Sequence, residues 1–407
     1  MKWFTCTPVA FGGGEDFFCR DSGLLSRGFR AIGVESRAVM PGERKPEDLD
    51  ELIRTDAANL ESTSWWESHG LDGVVLYAWG RPKFRRVAEA IHRAGIRLVL
   101  NQDSRGMVSP RCGLKNWLAS EKVVSGLGRV PGAWWKYAAS VGRGLSVGLL
   151  ATDPLRARHL RHGDRIAAVS PRAAEHYRAL CRNYIGEDVG KRVCCIPHPV
   201  SPDFHPGDGT RERRVVAVGR WDDELQKRSS LLMATFERLL KKDAAVGIDL
   251  IGDTPDKFNE WRAHLPRDHG QRVTLHGRIT PDRIVDLLQR ARIIYCSSAF
   301  ESFHIASAEG LCTGCTVVSS RSICLPSFEW FLSEGDGRFA ETDDAAGHAA
   351  AIVDEMAAWD AGGRDPHDIA HRWAGRLHAP RVAQQVLGLF EDEDAGGKEG
   401  RIAGALR

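Results

Sequence analysis

Residues 292–318, RIIYCSSAFESFHIASAEGLCTGCTVV, decide the fold. Their pattern predicts a strand over Ile293–Cys296, a polar loop over 297–301, a helix over about 303–313 and a second strand from Cys315. A strand, a helix and a further strand in this order form half of a parallel βαβ repeat. We therefore expect an α/β domain with a parallel sheet.

Two acids in this stretch are candidate ligand contacts. Glu301 ends the loop at the carboxyl end of the predicted strand, where open α/β sheets bind ligands. The amides of Ser302, Phe303 and His304 would be free donors at a helix N-terminus, which suits phosphate. About two turns later, Glu309 could accept hydrogen bonds from ribose hydroxyls. A helix-terminal Glu and a solvated Glu are the alternative interpretation.

The composition is that of a soluble globular protein. The chain has 407 residues with 43% hydrophobic and 27% charged side chains, which fits two domains of ordinary size. A formal net charge of +2 argues against a dedicated nucleic-acid binder. The first residues lack the apolar core of a signal peptide, which predicts a cytoplasmic protein. The ten cysteines lack framework spacing, so we expect buried, reduced thiols.

The first half of the chain predicts one doubly wound domain. A strand over residues 2–10, a glycine loop and a helix form its opening. Gly13 and Gly14 let the backbone approach a ligand closely, although such a loop can also be only a turn. Further strands are predicted over residues 32–40, Gly73–Tyr77, 96–100, 165–170 and 192–197.

Polar loops follow two of these strands. Trp79 follows one, and Gln102, Asp103 and Arg105 follow the next. Because the carboxyl ends of parallel strands meet at one edge of a sheet, we expect both loops to face the same crevice as the glycine loop.

Residues 111–162 interleave aromatic and basic side chains. This mixture fits a membrane interface or a bulky anionic acceptor, and core helices with solvated basic faces explain it equally well. The residues concerned are Trp117, Trp134, Trp135, Tyr137, Lys115, Lys122, Arg129, Lys136 and Arg143.

The second half alternates strand and helix throughout, so parallel connectivity is expected. Arg220, Lys227 and Arg278 follow predicted strands on the same rim as Glu301. A cationic pair beside a helix N-terminus is what a pyrophosphate requires. Arg220 and Lys227 could instead pair with the acids at positions 222–224.

The prolines between residues 197 and 206 mark a stiff linker, where we place the domain boundary. We therefore expect an acceptor-side domain over 1–200, a nucleotide-sugar domain over 201–375, a helix over 376–390 that crosses back, and a flexible tail over 391–407. Asp392 and Asp394 lie in that tail, and no metal role is expected for them.

These features resemble the GT-B glycosyltransferases of glycosyltransferase family 4, also called group 1. The resemblance rests on the G-R…K-R loop after the first strand of the second domain and on E-S-F-H-I-A-S-A-E after its fourth strand, and is best over 214–343. It implies two doubly wound, Rossmann-like domains that face each other across a cleft. The donor would bind mainly to the second domain and the acceptor to the first.

The resemblance also implies roles for single residues. Arg220 and Lys227 would hold the donor pyrophosphate, and Glu301 would contact the transferred sugar. Glu309 would bind ribose, and the backbone near Arg278 would meet the base. The other expected donor contacts are Ser302, Phe303, His304, Gly13 and Gly14, and the expected acceptor-side residues are Asp103, Gln102, Arg105 and Trp79.

The implied chemistry is retaining transfer of a hexose from a UDP- or GDP-sugar to a hydroxyl of a glycan, lipid-linked or small-molecule acceptor. Such reactions build polysaccharides and glycoconjugates. Cationic side chains would stabilise the departing pyrophosphate, so neither a metal nor a cofactor is expected. Peripheral contact with the inner face of a membrane is a further expectation, and contact with nucleic acid is not.

The chain departs from the family pattern in two places. Many members have glycine after the position of Phe303 and a histidine after the fourth strand of the first domain. This chain has His304 and the sequence Asn101-Gln102-Asp103. A non-catalytic protein that binds sugar nucleotides, or a scaffold associated with a membrane surface, is therefore the alternative.

Overall fold

The computed structural model describes residues 1–391, which form two parallel sheets flanked by helices. The predicted tail, with Asp392 and Asp394, lies outside the described residues apart from Glu391. Within this range no helix has both the length and the apolar character needed to cross a bilayer.

The strands are β1 (Trp3–Cys6), β2 (Ala38–Pro41), β3 (Leu52–Thr55), β4 (Gly73–Tyr77), β5 (Arg97–Gln102), β6 (Arg165–Ala168), β7 (Val193–Cys195), β8 (Arg214–Val218), β9 (Gly247–Ile251), β10 (Val273–Gly277), β11 (Ile293–Cys296), β12 (Thr316–Ser320) and β13 (Gly337–Ala340). The helices of the first part are α1 (Glu15–Phe18), α2 (Asp21–Ala31), α3 (Ala57–Leu60), α4 (Thr63–Glu67), α5 (Arg85–Arg93), α6 (Leu114–Ser125), α7 (Ala133–Arg143), α8 (Asp153–Arg161), α9 (Pro171–Tyr184) and α10 (Glu187–Lys191). Those of the second part are α11 (Glu224–Lys227), α12 (Ser229–Lys242), α13 (Asp256–His264), α14 (Arg267–Gly270), α15 (Pro281–Arg290), α16 (Ile305–Cys312), α17 (Phe328–Phe331), α18 (Ala345–Asp360), α19 (Pro366–Leu377) and α20 (Ala379–Gly388). Short 3₁₀ turns cover Pro82–Phe84 and Pro110–Cys112, and a π-helical segment, Gly144–Thr152, joins α7 to α8.

Both sheets are doubly wound. The first has the strand order β3-β2-β1-β4-β5-β6-β7 and the second has β10-β9-β8-β11-β12-β13, with parallel pairing throughout. The predicted fold class is therefore confirmed. In each sheet the order reverses beside the first strand, β1 or β8, and open α/β sheets bind ligands at the carboxyl ends of the strands at such a point.

Burial of the strands explains why the sequence predicted them clearly. Strands β4 and β9 are buried along their whole length, because helices flank both sheets. Such strands are largely apolar rather than alternating, and the limits of β4 match the predicted ones.

Several elements differ from the prediction. The first strand ends at Cys6 rather than at residue 10, and β3, β13 and α19 were not predicted. Helix α19 begins after a short turn that follows α18. Asp365 caps that helix by accepting from the amides of His367 and Asp368, at 2.8 and 3.2 Å, and Pro366 occupies a first-turn position that needs no amide donor.

The chain crosses between the domains twice. Val200 donates its amide to the carbonyl of Leu377 at 2.8 Å, and the amide of Ala379 donates to the carbonyl of Val200 at 2.9 Å. Helix α20 then packs on α2 so closely that a Cβ at Gly28 would lie 2.3 Å from the Ala379 carbonyl oxygen. The C-terminal helix is thus part of the first domain's surface.

Candidate active site between the two domains

A cleft of about 1320 Å³ lies between the carboxyl ends of the two sheets. The loops after β1, β4 and β5 form one wall, and those after β8 and β11 form the other. The side chains and backbone that line it include Gly12, Gly14, Arg20, Asp21, Tyr77, Trp79, Arg81, Asp103 and His198 on the first side, and Arg220, Lys227, Glu301, Ser302, Phe303 and His304 on the second.

A buried ion pair stands on the second wall. The Lys227 ammonium lies 2.6 Å from Glu301 Oε1, and Gln226 Nε2 donates to Glu301 Oε2 at 3.1 Å. Burial alone would raise the pKa of Glu301, but His304 and the Lys227 charge outweigh it, so that pKa lies below its ordinary value. Glu301 therefore stays ionised at neutral pH.

Arg228 fixes the loop that presents Lys227. Its guanidinium donates to the Ser297 carbonyl at 2.6 Å and to both Asp343 oxygens at 2.7 and 2.8 Å. Ser297 Oγ in turn donates to the Lys227 carbonyl at 2.6 Å. These bonds of the guanidinium tie the loop after β8 to the loops after β11 and β13. Arg228 is thus an anchor, and Lys227 points into the cleft.

Arg220 is an exposed cation on the cleft wall. Within residues 1–391 its side chain makes no ion pair or hydrogen bond. Two of the three acids that might have paired with it are engaged elsewhere: Asp223 caps α11 by accepting from the Gln226 amide at 3.0 Å, and Glu224 accepts from the Ser230 amide at 3.2 Å. The surface pairing considered for Arg220 and Lys227 is therefore not what the structure has.

His304 occupies the N-cap of α16 with a left-handed backbone, φ 65°. Its Nδ1 accepts from the Ser307 amide at 3.3 Å and contacts Ser307 Oγ at 2.8 Å. Burial, and then the nearby Lys227 charge, lower the pKa of His304 to about 4. The ring is therefore neutral with its proton on Nε2, and it offers one N–H donor on the wall of the cleft.

Glu309 and Arg278 are not among the residues that line the cleft. Glu309 is half-buried on α16, and burial raises its pKa to about 7 while Arg20 opposes that shift. Arg278 is exposed and forms a two-bond ion pair with Asp253, at 2.6 and 2.7 Å. Arg20, which motif spacing did not reveal, brings a cation from the first domain towards Glu309.

The glycine loop has two kinds of glycine. Gly12 and Gly14 line the cleft, whereas a Cβ at Gly13 would lie 2.2 Å from Leu52 Cδ2 and 2.3 Å from Asp48 Oδ1. Those neighbours are held in place, because Asp48 pairs with Arg54 at 2.8 Å and that bond holds the pKa of Asp48 at about 2. Gly13 is thus required for packing, and its carbonyl accepts from the Leu49 amide.

Of the four expected acceptor-side residues, two line the cleft and two do not. Trp79 and Asp103 line the cleft. Gln102 is buried and its Nε2 donates to the Asn101 carbonyl at 3.3 Å. Arg105 places its guanidinium 5.4 Å from the Phe300 ring centroid, which makes it a contact between the two domains.

One functional candidate was missed. His198 follows β7, is 2% exposed and lies between Asp103 and Asp21 on the first wall. Its sequence context, I-P-H-P-V, carries no motif that could have singled it out, because the fold alone brings these three positions together.

Solved structures share this architecture. Anabaena HepE in complex with UDP aligns with a TM-score of 0.64 and 12% identity over 96% of this chain and 100% of that chain. The galactosyltransferase WaaB of the lipopolysaccharide outer core, in its apo form, gives 0.62 and 15% over 97% and 100%. A glycosyltransferase from Rickettsia africae gives 0.63 and 14% over 96% and 98%. The fold is GT-B.

The family comparison covers the second domain. Residues 212–357 match the family described as glycosyl transferases group 1, which confirms the predicted resemblance over that part of the GT-B fold. No curated protein sequence matches the chain. The matched region contains both loops of the second wall, from Arg220 to His304.

Proposed function

We propose that this GT-B protein is a retaining glycosyltransferase that moves a hexose from a nucleoside diphosphate sugar to an acceptor hydroxyl. The observation that carries the proposal is the buried Lys227–Glu301 pair, at 2.6 Å, beside the unpaired Arg220. The second domain's match to group 1 glycosyltransferases and the UDP and UDP-glucose complexes of HepE support a UDP-sugar as the first donor to test.

Each residue of the second wall has a task in this reaction. Arg220 and Lys227 bind the diphosphate and stabilise the charge that develops as it leaves. An ammonium has three donors, so Lys227 can hold Glu301 and still donate to a phosphate oxygen. Glu301 faces the transferred sugar, and the neutral His304 offers its Nε2–H. The acceptor attacks from the face that the diphosphate leaves, so positioning and charge stabilisation supply the catalysis.

The proposal includes no metal and no cofactor, because two cationic side chains supply the charge that a divalent ion would otherwise provide. We expect EDTA to leave turnover unchanged, and a loss of turnover that Mg²⁺ or Mn²⁺ restores would contradict this part. The ten unpaired cysteines support a reducing compartment such as the cytoplasm.

Thermal shift with UDP, GDP, ADP and their common sugar conjugates tests donor binding, because a ligand that binds only the folded state raises the melting temperature. We expect one nucleotide to stabilise the wild type and Arg283→Ala, an exposed control on α15, and to stabilise Arg220→Ala less. No response to any nucleotide would contradict the proposal. Nucleotide binding without turnover on any acceptor would favour the non-catalytic alternative.

A second proposal concerns a membrane surface. Trp134 and Trp135 are 50% and 66% exposed and stack at 3.5 Å, and Leu150, further along the same run of helix, is 82% exposed. Residues 122–152 hold four basic residues and no acid. Exposed indoles with basic neighbours suit the headgroup region of an anionic bilayer. Trp117, in contrast, is buried, as the core-helix interpretation expects.

Flotation with vesicles tests this second proposal. We expect binding to vesicles that contain phosphatidylglycerol, weaker binding at high salt, and loss of binding in Trp134→Ser/Trp135→Ser. Lys191→Glu, a remote surface substitution, is the control. The absence of binding at low salt would contradict the proposal.

A further inference from the structure

Helices α11 and α12 of the second domain meet at a single residue, Arg228. This residue ends α11 and begins α12, and its backbone is left-handed, with φ 51° and ψ 54°. A residue other than glycine adopts this conformation at a cost in free energy, so it persists only where surrounding contacts enforce it. Lys227 directly precedes this joint, so the backbone of Arg228 affects where the Lys227 ammonium lies.

Helix α11 does not hold its own position. It is a single turn of four residues, Glu224–Lys227, and an isolated turn is unstable because helix nucleation fixes several residues for one hydrogen bond. Helix α12, in contrast, has 14 residues and buries Leu232 and Phe236 in the core. The direction of α11 relative to α12 is therefore set by the joint and by contacts from outside the turn.

The side chain of Arg228 enforces the conformation of the joint. It is buried, and its guanidinium forms a two-bond ion pair with Asp343, at 2.7 and 2.8 Å. The same group donates to the Ser297 carbonyl at 2.6 Å and to Ser320 Oγ at 3.1 Å. A two-bond pair fixes the plane of a guanidinium as well as its place. Asp343 thus fixes the side chain of the strained residue.

Asp343 is itself held by a second layer of side chains. Ser320 Oγ donates to Asp343 Oδ1 at 2.6 Å, and His348 Nε2 lies 3.3 Å from the same oxygen. The buried His348 places its Nδ1 2.9 Å from the Tyr295 hydroxyl. Burial would raise the pKa of Asp343, but hydrogen bonds from His348 and Arg228 outweigh it and lower that pKa. The carboxylate is therefore ionised and fixed to β11, β12 and α18.

This network lies behind the cleft wall. Arg228, Asp343 and His348 are not among the residues that line the cleft, whereas Lys227 is. An effect of Asp343 on a reaction in the cleft would therefore pass through another residue, and the nearest one along the chain is Lys227.

We propose that Asp343 is a positioning residue for the transfer reaction, which acts through Arg228 by holding the joint in its left-handed conformation and thereby keeps Lys227 beside the leaving diphosphate. This inference rests on the proposed function, from which it takes the task of Lys227. It gives a role to the loop after β13, which the expected donor contacts do not include.

A double-mutant cycle, measured as release of UDP from UDP-glucose, tests the route from Asp343 to Lys227. We expect Asp343→Asn, an isosteric change, to lower kcat about 10- to 100-fold, because misplacing a group at the reacting atoms costs this much. The Kd for UDP should rise less than about threefold, because Arg220 still binds the diphosphate. In the Lys227→Ala background, Asp343→Asn should change kcat less than about twofold, because the residue through which it acts is absent.

A matched control separates positioning from a general loss of stability. Asp336 forms another two-bond pair in the second domain, with Arg372 at 2.6 and 3.1 Å. We expect Asp336→Asn to lower the melting temperature but to change kcat less than about twofold.

The joint also predicts an order of activity at position 228. Glycine adopts a left-handed backbone without strain, and alanine does not. Arg228→Gly therefore loses the ion pair but permits the direction of α11, whereas Arg228→Ala permits neither. We expect Arg228→Gly to keep a kcat at least about fivefold higher than that of Arg228→Ala. Equal rates in the two variants would overturn the inference.

Lysine labelling with acetic anhydride reports the position of Lys227 in the free protein, without turnover. In the wild type the ammonium is held by Glu301 and 12% of the side chain is exposed, so labelling should be slow. We expect about threefold faster labelling of Lys227 in Asp343→Asn and the wild-type rate in Asp336→Asn. Lys191, on the surface, is the internal reference.

The outcomes separate this inference from the proposed function. If the loop after β11 alone held α11, Asp343→Asn would change neither kcat nor the labelling of Lys227, and the inference would fail while the proposed function stands. A loss of kcat that persists in the Lys227→Ala background has the same meaning. Faster labelling in a protein that neither binds nor turns over a sugar nucleotide overturns the proposed function alone. If Asp343→Asn does not fold, Arg228→Gly against Arg228→Ala decides.

Discussion

The two walls of the cleft obtain their functional side chains in different ways. The second wall takes Arg220 and Lys227 from one loop and Glu301 and His304 from another, and each loop directly follows a strand. The first wall takes Asp21 from the start of α2, Asp103 from the loop after β5 and His198 from the crossing between the domains, three places that are distant in sequence. The residues of the second wall can therefore be found as short sequence motifs, whereas those of the first wall come together only through the fold of the whole domain.

The largest effect should come from the second wall. We expect Lys227→Ala to lower the rate of transfer by about 10²- to 10³-fold, because it removes a fixed charge from the leaving group. It also leaves the buried Glu301 unpaired. Release of the nucleoside diphosphate measures the rate, and Lys191→Ala, a surface lysine paired with Asp188, is the control. A loss below about tenfold would mean that Lys227 only holds Glu301.

The glycine loop should show the next effect, on stability rather than on rate. We expect Gly13→Ala to lower the free energy of unfolding by about 1–3 kcal/mol, because its Cβ would overlap Leu52 and Asp48. Gly12→Ala meets nothing within 4 Å and should change stability by less than about 0.5 kcal/mol. Denaturant midpoints measure both variants. Equal changes in midpoint for the two variants would contradict the packing role of Gly13.

Arg220 should affect binding without affecting stability. We expect Arg220→Ala to raise the Kd of the nucleoside diphosphate about tenfold, or about 1.4 kcal/mol. The melting temperature of the free protein should not change, because the side chain has no partner within residues 1–391. Calorimetry on wild type, Arg220→Ala and Arg283→Ala gives the comparison. An unchanged Kd would remove Arg220 from the donor site.

The smallest effect concerns Glu309. Its pKa is raised from 4.5 to about 7 in the folded protein, so the folded state holds more protons than the unfolded state between these values. The free energy of unfolding therefore falls as pH rises through that window. We expect Glu309→Gln to be more stable than wild type by about 1 kcal/mol at pH 8 and no more stable at pH 4.

The same variant tests ribose binding. A carboxylate accepts hydrogen bonds from hydroxyls better than its protonated form, so wild-type affinity for the nucleotide should weaken as pH falls below 7. Glu309→Gln should bind weakly at every pH. Nucleotide binding that does not depend on pH, with equal affinity in both proteins, would assign Glu309 to α16 packing only.

The fold could be predicted from sequence because its strands are buried on both faces. Strands β4 and β11, for example, have their predicted limits, since apolar runs bounded by turns leave little ambiguity. Helix α19 was not predicted, because Asp365 and Pro366 are typical of a turn. In the structure Asp365 caps the helix and Pro366 lies in its first turn.

The site could be predicted only where it is local. The spacing of Arg220, Lys227 and Glu301 placed them on one rim, and all three line the cleft. Sequence could not show that Arg228 is an anchor, because its partner Asp343 lies on a distant loop. His198 was beyond prediction for the same reason, since its role depends on Asp21 and Asp103 meeting across the sheet.

The chain crosses between the domains at two neighbouring places. Backbone hydrogen bonds of Val200 with Leu377 and Ala379 hold these two crossings together, so that they form a single hinge. A single connection would let the domains twist and slide in any direction. Two connections fastened side by side leave one easy rotation about the line that joins them. His198 lies two residues before Val200, so its ion-pair contacts with Asp21 and Asp103 lie beside this axis, where opening of the cleft would move them least.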